Sequence, residues 1–253
     1  MARTINEDEY AVKRNQILDV AQRLIYTCGY EQMSIQDILD ELNISKGAFY
    51  HYFDSKPALL DALISRIGSE GEQLLYPILD DAHLNAIGKL QVYFDTVGRW
   101  KTAQKTYLMA LTRVLYSDDN VLYRTKMVAA MSARFIPRLA AVISEGVNEG
   151  LLHNAHPDQA ASIALSMILA LGDTLALWLL QPGARDDDLQ YFETTVAAYT
   201  DAIERVLGAA GGSIQLMDTT AIREWVQVKT GAPPSGAPPS PAANRPGRDA
   251  GVP

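Results

Sequence analysis

SIQDILDELNISKGAFYHYFDSK, residues 34–56, reads as a helix, a tight turn, a second short helix and the first residues of a third. Ser34, with Asp37 three places on, has the form of a capping box, and Ile38 and Leu42 then share one face of the helix it opens. Asn43 tolerates a left-handed backbone, so it can end that helix and turn the chain sharply. Ser45 caps the second helix, on which Phe49 and Phe53 lie one turn apart and face inward. Lys46, Gly47, Tyr50 and His51 stay outside: one cation, one residue without a side chain and two hydrogen-bonding rings. A short helix with that outer face can enter a major groove about 12 Å wide. Gly47 permits close approach, and Lys46 can reach a guanine edge or a phosphate.

The set Ser45, Lys46, Gly47, Phe49, Tyr50, Phe53, Ser55, Lys56, Leu59 and Leu60 resembles the DNA-binding unit of TetR/AcrR-family transcriptional regulators. The resemblance covers residues 11–63, and beyond them it is one of architecture only. It implies that the second half of the unit lies in the major groove, with Tyr50 and Lys56 on the DNA backbone. The expected DNA-contacting residues are Ser34, Gln36, Ser45, Lys46, Gly47, Ala48, Tyr50, His51, Tyr52 and Lys56. It further implies a homodimer on a palindromic double-stranded operator, a small-molecule effector held in the helical body, and no cofactor.

The chain has 253 residues, 48% of them hydrophobic, enough for a sizeable core in two units. Helical periodicity dominates and strand-like runs are sparse, so an all-α fold is expected. The expected parts are a flexible arm over 1–10, a helix-turn-helix domain over 11–66, a helical effector-binding and dimerisation domain over 67–208, and a largely disordered tail over 209–253. MARTINEDEY has no apolar core of a secretory signal, which favours the cytoplasm. Net charge is −8, and residues 1–66 carry seven Lys or Arg against ten Asp or Glu. A binder driven by bulk charge would be basic, so positive charge must act locally and binding away from the operator should be weak. Cys28 continues the stripe of Ile17, Ala21 and Leu24 and reads as a buried thiol.

The first helix is expected over 11–28, ended by Gly29. A fourth helix opens at Ser55 and Pro57 and runs toward Gly68, Gly71 and Pro77, which should weaken it where it leaves the DNA-binding part. It reads either as a link between domains or as a surface helix that frays at its glycines. Further helices are expected over 86–102, 105–116 and 121–150, the last kinked or split by Pro137. Aromatic and Met side chains in this body suit a core, or in part a ligand cavity. The candidates for the cavity are Trp100, Tyr107, Tyr116, Met127, Met131, Phe135, Met167 and Asp173.

Residues 160–180 are apolar enough to span a membrane, but Ser162, Ser166, Asp173 and Thr174 interrupt them and favour a buried helix and no membrane partner. Leu189, Phe192, Val196, Tyr199, Ile203 and Val206 repeat as a heptad seam that wants a partner. Either the seam packs within the chain, or with Ile168, Leu171 and Leu175 it joins a second copy in a four-helix interface. The segment TTAIREWVQVK could form a transient helix with Trp225 docking on the body, whereas the Pro- and Gly-rich residues 231–253 have nothing to bury.

His153, His156 and Asp158 sit around Pro157 without further ligands and read as loop polarity. Glycine-rich phosphate loops and nucleophile motifs are missing, so no enzyme is expected. The rival readings are a membrane-associated or interaction-only helical protein, a small helical enzyme, and a regulator that activates or works without a ligand.

Overall fold

A computed structural model of the protein describes residues 7–230, and every regular element among them is a helix. The first, α1 (Glu7–Cys28), opens on Glu7, Asp8 and Glu9, three carboxylates at the positive end of the helix dipole. That start corrects the expected arm, since residues 7–10 already belong to α1 and residues 1–6 lie outside the described part. Ile17, Leu18, Ala21 and Ile25 face α2 (Ile35–Leu42), α3 (Lys46–Tyr50) and the first half of α4 (Lys56–Leu79). Phe49, Phe53, Leu59, Leu60 and Leu63 complete this core, all within 4% of full burial. Cys28 lies outside it. It is exposed in the last turn, where α1 has run past its core, and its thiol donates to the Leu24 carbonyl at 3.1 Å and the Gly29 carbonyl at 3.8 Å.

Neither Gly68, Gly71 nor Pro77 interrupts α4, contrary to the sequence expectation. Gly68 serves contact. A Cβ there would stand 2.6 Å from Arg134 Nε and 3.0 Å from Met131 Cε, on the helix that crosses α4. Arg134 also binds Glu72 at 2.7 Å and Ser65 Oγ at 3.1 Å, so α4 is held along its middle. Its N-terminal half packs in the first core, while Leu75 and Leu79 lie in clusters of the body.

The body continues with α5 (Ala86–Ala103), α6 (Lys105–Leu115), a 3-10 turn (Asp118–Asn120), α7 (Val121–Asn148), α8 (Pro157–Leu180) and α9 (Asp188–Leu207). Pro137 does not split α7, which runs through it as one helix. One turn before that proline, the Arg134 carbonyl accepts the Tyr76 hydroxyl at 3.0 Å, which ties α7 to α4. Both α7 and α8 have the length and apolarity of a membrane span, with mean hydropathy of 1.4 and 2.0 over their most apolar windows. In α8 that character is used within the body, where Ala160, Ala161, Ala164, Leu165, Leu171, Leu175, Trp178 and Leu179 are buried.

The heptad seam is largely consumed inside the chain. Phe192, Val196 and Ile203 are at most 4% exposed, and Leu171 and Leu175 pack in the same cluster as Phe192 and Val196. They cannot form the surface of a second-copy interface as expected. Periodicity records that a face is buried, not what buries it. Ile168, Leu189 and Tyr199 keep partial exposure at the edge.

Residues 209–230 are not the largely disordered tail expected from composition. The buried Glu204 carboxylate accepts the N–H groups of Gly212 and Ile214 at 3.0 and 2.9 Å. The Gln91 side chain both donates to and accepts from the Gln215 backbone. Asp218 then caps α10 (Thr219–Thr230) through the Ala221 N–H. Ile222 and Trp225 drop into the cluster of Trp178, Phe192 and Val196, beside Leu108 and Met109 of α6. Lys105–Glu224 at 2.7 Å and Lys229–Asp188 at 2.6 Å fix the two ends. Residues 231–253, also expected to be disordered, lie outside the described residues.

Candidate nucleic-acid interface

Each turn of the N-terminal unit is closed by its own side-chain chemistry. Ser34 Oγ accepts the Asp37 N–H at 3.2 Å while Asp37 Oδ2 accepts the Ser34 N–H at 2.7 Å, completing the capping box. The Ser34 N–H and hydroxyl hold the Asp37 carboxyl below the usual carboxylate range. Asn43 ends α2 at φ 49° and ψ 51°, the left-handed conformation expected of it. Ser45 Oγ accepts from Ala48 N–H and Ser55 Oγ from Ala58 N–H, both at 3.2 Å, so α3 and α4 start where the sequence places them.

Phe49, fully buried, and Phe53 stand 5.9 Å apart and anchor α3 from within. Ser45, Lys46, Gly47, Tyr50 and His51 are exposed, with Ala48 and Tyr52 half-buried, as the two-faced reading of the helix requires. A Cβ on Gly47 would touch only Ser45 Oγ, at 4.0 Å. Among the described residues nothing therefore demands a glycine there. Lys46 forms no ion pair among the described residues, and its ammonium lies 6.0 Å from the Tyr50 ring centroid. Arg23 and Arg66, by contrast, are paired with Glu41 and Asp19.

Ser34, Gln36, Lys46, Tyr50 and Lys56 come together around a concavity of about 500 Å³, whose floor includes Met33, Ile35 and Leu39. The exposed Gln36 amide is held by Asp40 at 2.6 Å. Lys56 reaches back as well as outward, donating to the Glu31 carbonyl at 3.2 Å with its ammonium 4.4 Å from the Tyr30 ring centroid.

The Tyr30 region is the point at which the body grips this unit. Asn120, fully buried in the 3-10 turn, accepts the Tyr30 N–H at 2.9 Å and donates to the Ile25 and Val114 carbonyls at 3.3 and 3.0 Å. Next to it, the Asp119 carbonyl accepts the Glu31 N–H at 3.0 Å. Gly29 adopts φ 92°, and a Cβ there would meet Asp119 Cβ at 2.7 Å, so the glycine serves both the turn and this approach. Higher up, the Tyr26 and Tyr123 hydroxyls are 3.2 Å apart. None of these contacts between distant parts of the chain has a local sequence signal.

The eight residues expected around a ligand do not converge. Phe135 and Met131 pack with Leu75 and Leu165, Met127 joins the N-terminal core, and Met167 joins a third cluster. The Tyr116 hydroxyl donates to Asp173 at 2.6 Å on the outer side of α8, and burial followed by that carboxylate raises its pKa. Trp100 and Tyr107 are about half exposed. Among the described residues no cluster of His, Cys, Asp and Glu has the form of a metal site.

Residues 17–63 match the family model for bacterial regulatory proteins of the tetR family. An uncharacterized HTH-type transcriptional regulator of Lactococcus lactis is 49% identical over 51 residues, 20% of this chain and 26% of that protein. An HTH-type transcriptional repressor of Mycobacterium tuberculosis is 37% identical over 59 residues, 23% of this chain and 32% of the other. The chain thus aligns with about a quarter to a third of the length of these two curated relatives. A longer alignment, 27% identical over 167 residues, joins 62% of this chain to 74% of the HTH-type transcriptional regulator EthR of Mycolicibacterium smegmatis. Among solved structures, reduced Escherichia coli NemR superposes with a TM-score of 0.54 at 20% identity, over 78% of this chain and 99% of that one. A TetR-family regulator of Pectobacterium atrosepticum gives 0.53 at 21%, over 81% and 98%. These superpositions share the fold, a helix-turn-helix domain followed by a helical body. With the capped helices of residues 34–56 and the family match over them, residues 17–63 form a helix-turn-helix domain similar to that of the bacterial regulatory proteins of the tetR family, and the chain shares the fold of such regulators.

Proposed function

We propose that the protein is a cytoplasmic repressor that binds a palindromic operator as a homodimer and leaves it when a small effector occupies the body. The observation that carries the DNA-binding part is the outer face of α3. There Lys46, which has no ion pair among the described residues, stands beside Gly47, a glycine that no contact among those residues requires. Removing the Lys46 side chain should weaken operator binding by about 1–3 kcal/mol and relax selectivity at one base pair, if it reads a guanine. Titration of Lys46→Ala against an operator and its single-base variants tests this. Uniform weakening on every sequence would reduce Lys46 to a phosphate contact. Footprinting on the DNA upstream of the protein's own gene, repeated at several salt concentrations, supplies the operator.

Support for a second copy comes from the face of α8 and α9 that the body leaves uncovered. Ile163 and Leu177 are 50% and 55% exposed on α8, with Ala170 between them. On α9, Tyr191, Thr194, Thr195, Ala198 and Tyr199 line a groove of about 490 Å³. Two reading helices fixed by such an interface would enter successive major grooves roughly 34 Å apart. An effector acts by preferring a dimer shape with another spacing. Crystals of an effector complex that no longer binds operator, yet keeps the separation of the two Lys46 Cα atoms, would refute that account.

A further inference from the structure

The first ten residues of α1 lie ahead of the stretch that the family model matches, yet Tyr10 and Arg14 among them touch the residues that end the reading helix and follow it. Tyr10 and Arg14 are one turn apart and share a face of α1. The Tyr10 ring meets His51 edge-on, with centroids 5.6 Å apart at 83°, and lies 4.8 Å from the Tyr52 ring at 37°. His51 and Tyr52 in turn are 5.1 Å apart at 76°. Below them, the Arg14 guanidinium stands 5.1 Å from the Phe53 centroid.

His51 is the C-cap of a five-residue helix and is exposed. A side chain there would ordinarily sample several rotamers. Two rings at right angles to it restrict that choice, and aromatic pairs in this geometry are favourable beyond the area they bury. The imidazole makes no hydrogen bond with the protein among the described residues, so its N–H stays available. A purine N7 in the major groove is an acceptor that such an N–H can reach. A purely core role fits the cluster poorly, since Tyr10 and Tyr52 are only half-buried and His51 is exposed.

We propose that Tyr10 is a positioning residue for base readout, holding the His51 imidazole in the orientation in which it selects a purine. The inference rests on the operator-binding reading above. The test measures binding of the full-length protein to an operator and to all its single base-pair substitutions by fluorescence anisotropy. His51→Ala is expected to abolish preference at one pair in each half-site. Tyr10→Ala should cut preference at that same pair by about threefold to tenfold, the range of one aromatic pair, with other pairs within about twofold. Tyr10→Phe should keep the preference. Tyr10→Leu, which keeps an apolar side chain in case the alanine variant unfolds, should lose it. In the double variant, Tyr10→Ala should add nothing to His51→Ala at that pair.

Equal weakening by Tyr10→Ala or Tyr10→Leu on every duplex, or a His51→Ala variant without a base-confined loss, overturns the proposal. A wild-type protein that prefers no duplex sinks the operator reading itself, and does so before any variant is made.

Discussion

Lys229→Ala should lower the stability of the protein by about 3 kcal/mol. The Lys229 and Asp188 side chains are 1% and 2% exposed, and the ammonium also lies 4.5 Å from the Trp178 ring centroid. Asp188 is otherwise satisfied, by Trp178 Nε1 at 2.8 Å and the Arg185 N–H at 2.8 Å. Removing the lysine leaves a buried carboxylate with its hydrogen bonds but without its counter-charge. The figure sits at the low end for a broken buried pair because Asp188 begins α9 at the end of the bundle, where water can enter on relaxation. Urea denaturation measures the loss. A red shift of tryptophan emission should accompany it, since Trp178 of α8 and Trp225 of α10 both lie in the contact between α10 and the body. Adding Asp188→Asn should recover part of the loss, because the amide oxygen still accepts from the indole without a charge.

The pH dependence of this pair has a definite sign. Burial alone pushes the Asp188 carboxyl up, but hydrogen bonds from Lys229, the Arg185 N–H and Trp178, with the lysine charge, outweigh it and hold the pKa below the usual value. A depressed carboxylate contributes stability above its unfolded pKa of about 4, and that contribution is lost as pH falls through the folded value. The wild type should therefore loosen at α10 below about pH 4. In Lys229→Ala burial is no longer outweighed to the same extent. The variant's deficit relative to wild type should shrink on acidification, and a deficit that grew instead would contradict the assignment.

Asn120→Ala is expected to cost nearly as much, about 2–3 kcal/mol, and to act at a different place. The Ile25 and Val114 carbonyls keep other donors, Gly29 N–H and Ser117 N–H, both at 3.1 Å. Among the described residues the Tyr30 N–H has only the Asn120 side chain, so it would be left buried and unpaired. The damage falls between the N-terminal unit and the body. All three tryptophans, Trp100, Trp178 and Trp225, belong to the body. In the variant the tryptophan transition should therefore fall at higher urea than the loss of total helix seen by circular dichroism. Coincident transitions would show that Asn120 does not latch the two parts.

The helix-turn-helix was legible because its determinants are local. Ser34 with Asp37, Asn43, Ser45 and Ser55 each act within four residues of their own position, and each does in the structure what its chemistry suggests. The set of residues facing outward from α3 followed from the two buried phenylalanines. What could not be read is what a buried face meets. Phe192, Val196 and Ile203 announced a partner, and the partner is the protein's own core, with α10 covering Phe192 and Val196. The signal for α10 was nevertheless present. Ile222, Trp225, Val226 and Lys229 share one helical face, and Asp218 precedes them as a cap. Its low-complexity neighbour masked it. Tyr10 fell within what composition suggested was an arm, and its contacts with His51 and Tyr52 join residues about forty positions apart that no local pattern connects. Gly68 was misread because a glycine that admits a crossing helix and a glycine that bends a helix look alike in sequence.

The unbroken course of α4 has a mechanical consequence. Its 24 residues make a rod about 36 Å long with Lys56 at one tip and Leu79 at the other. Tilting such a rod by 5° about its body end would displace the Lys56 tip by about 3 Å, many times the slack a hydrogen bond tolerates. A repacking too slight to notice around Leu75 would thus arrive at the DNA face magnified, and a hinge in the middle would have absorbed it.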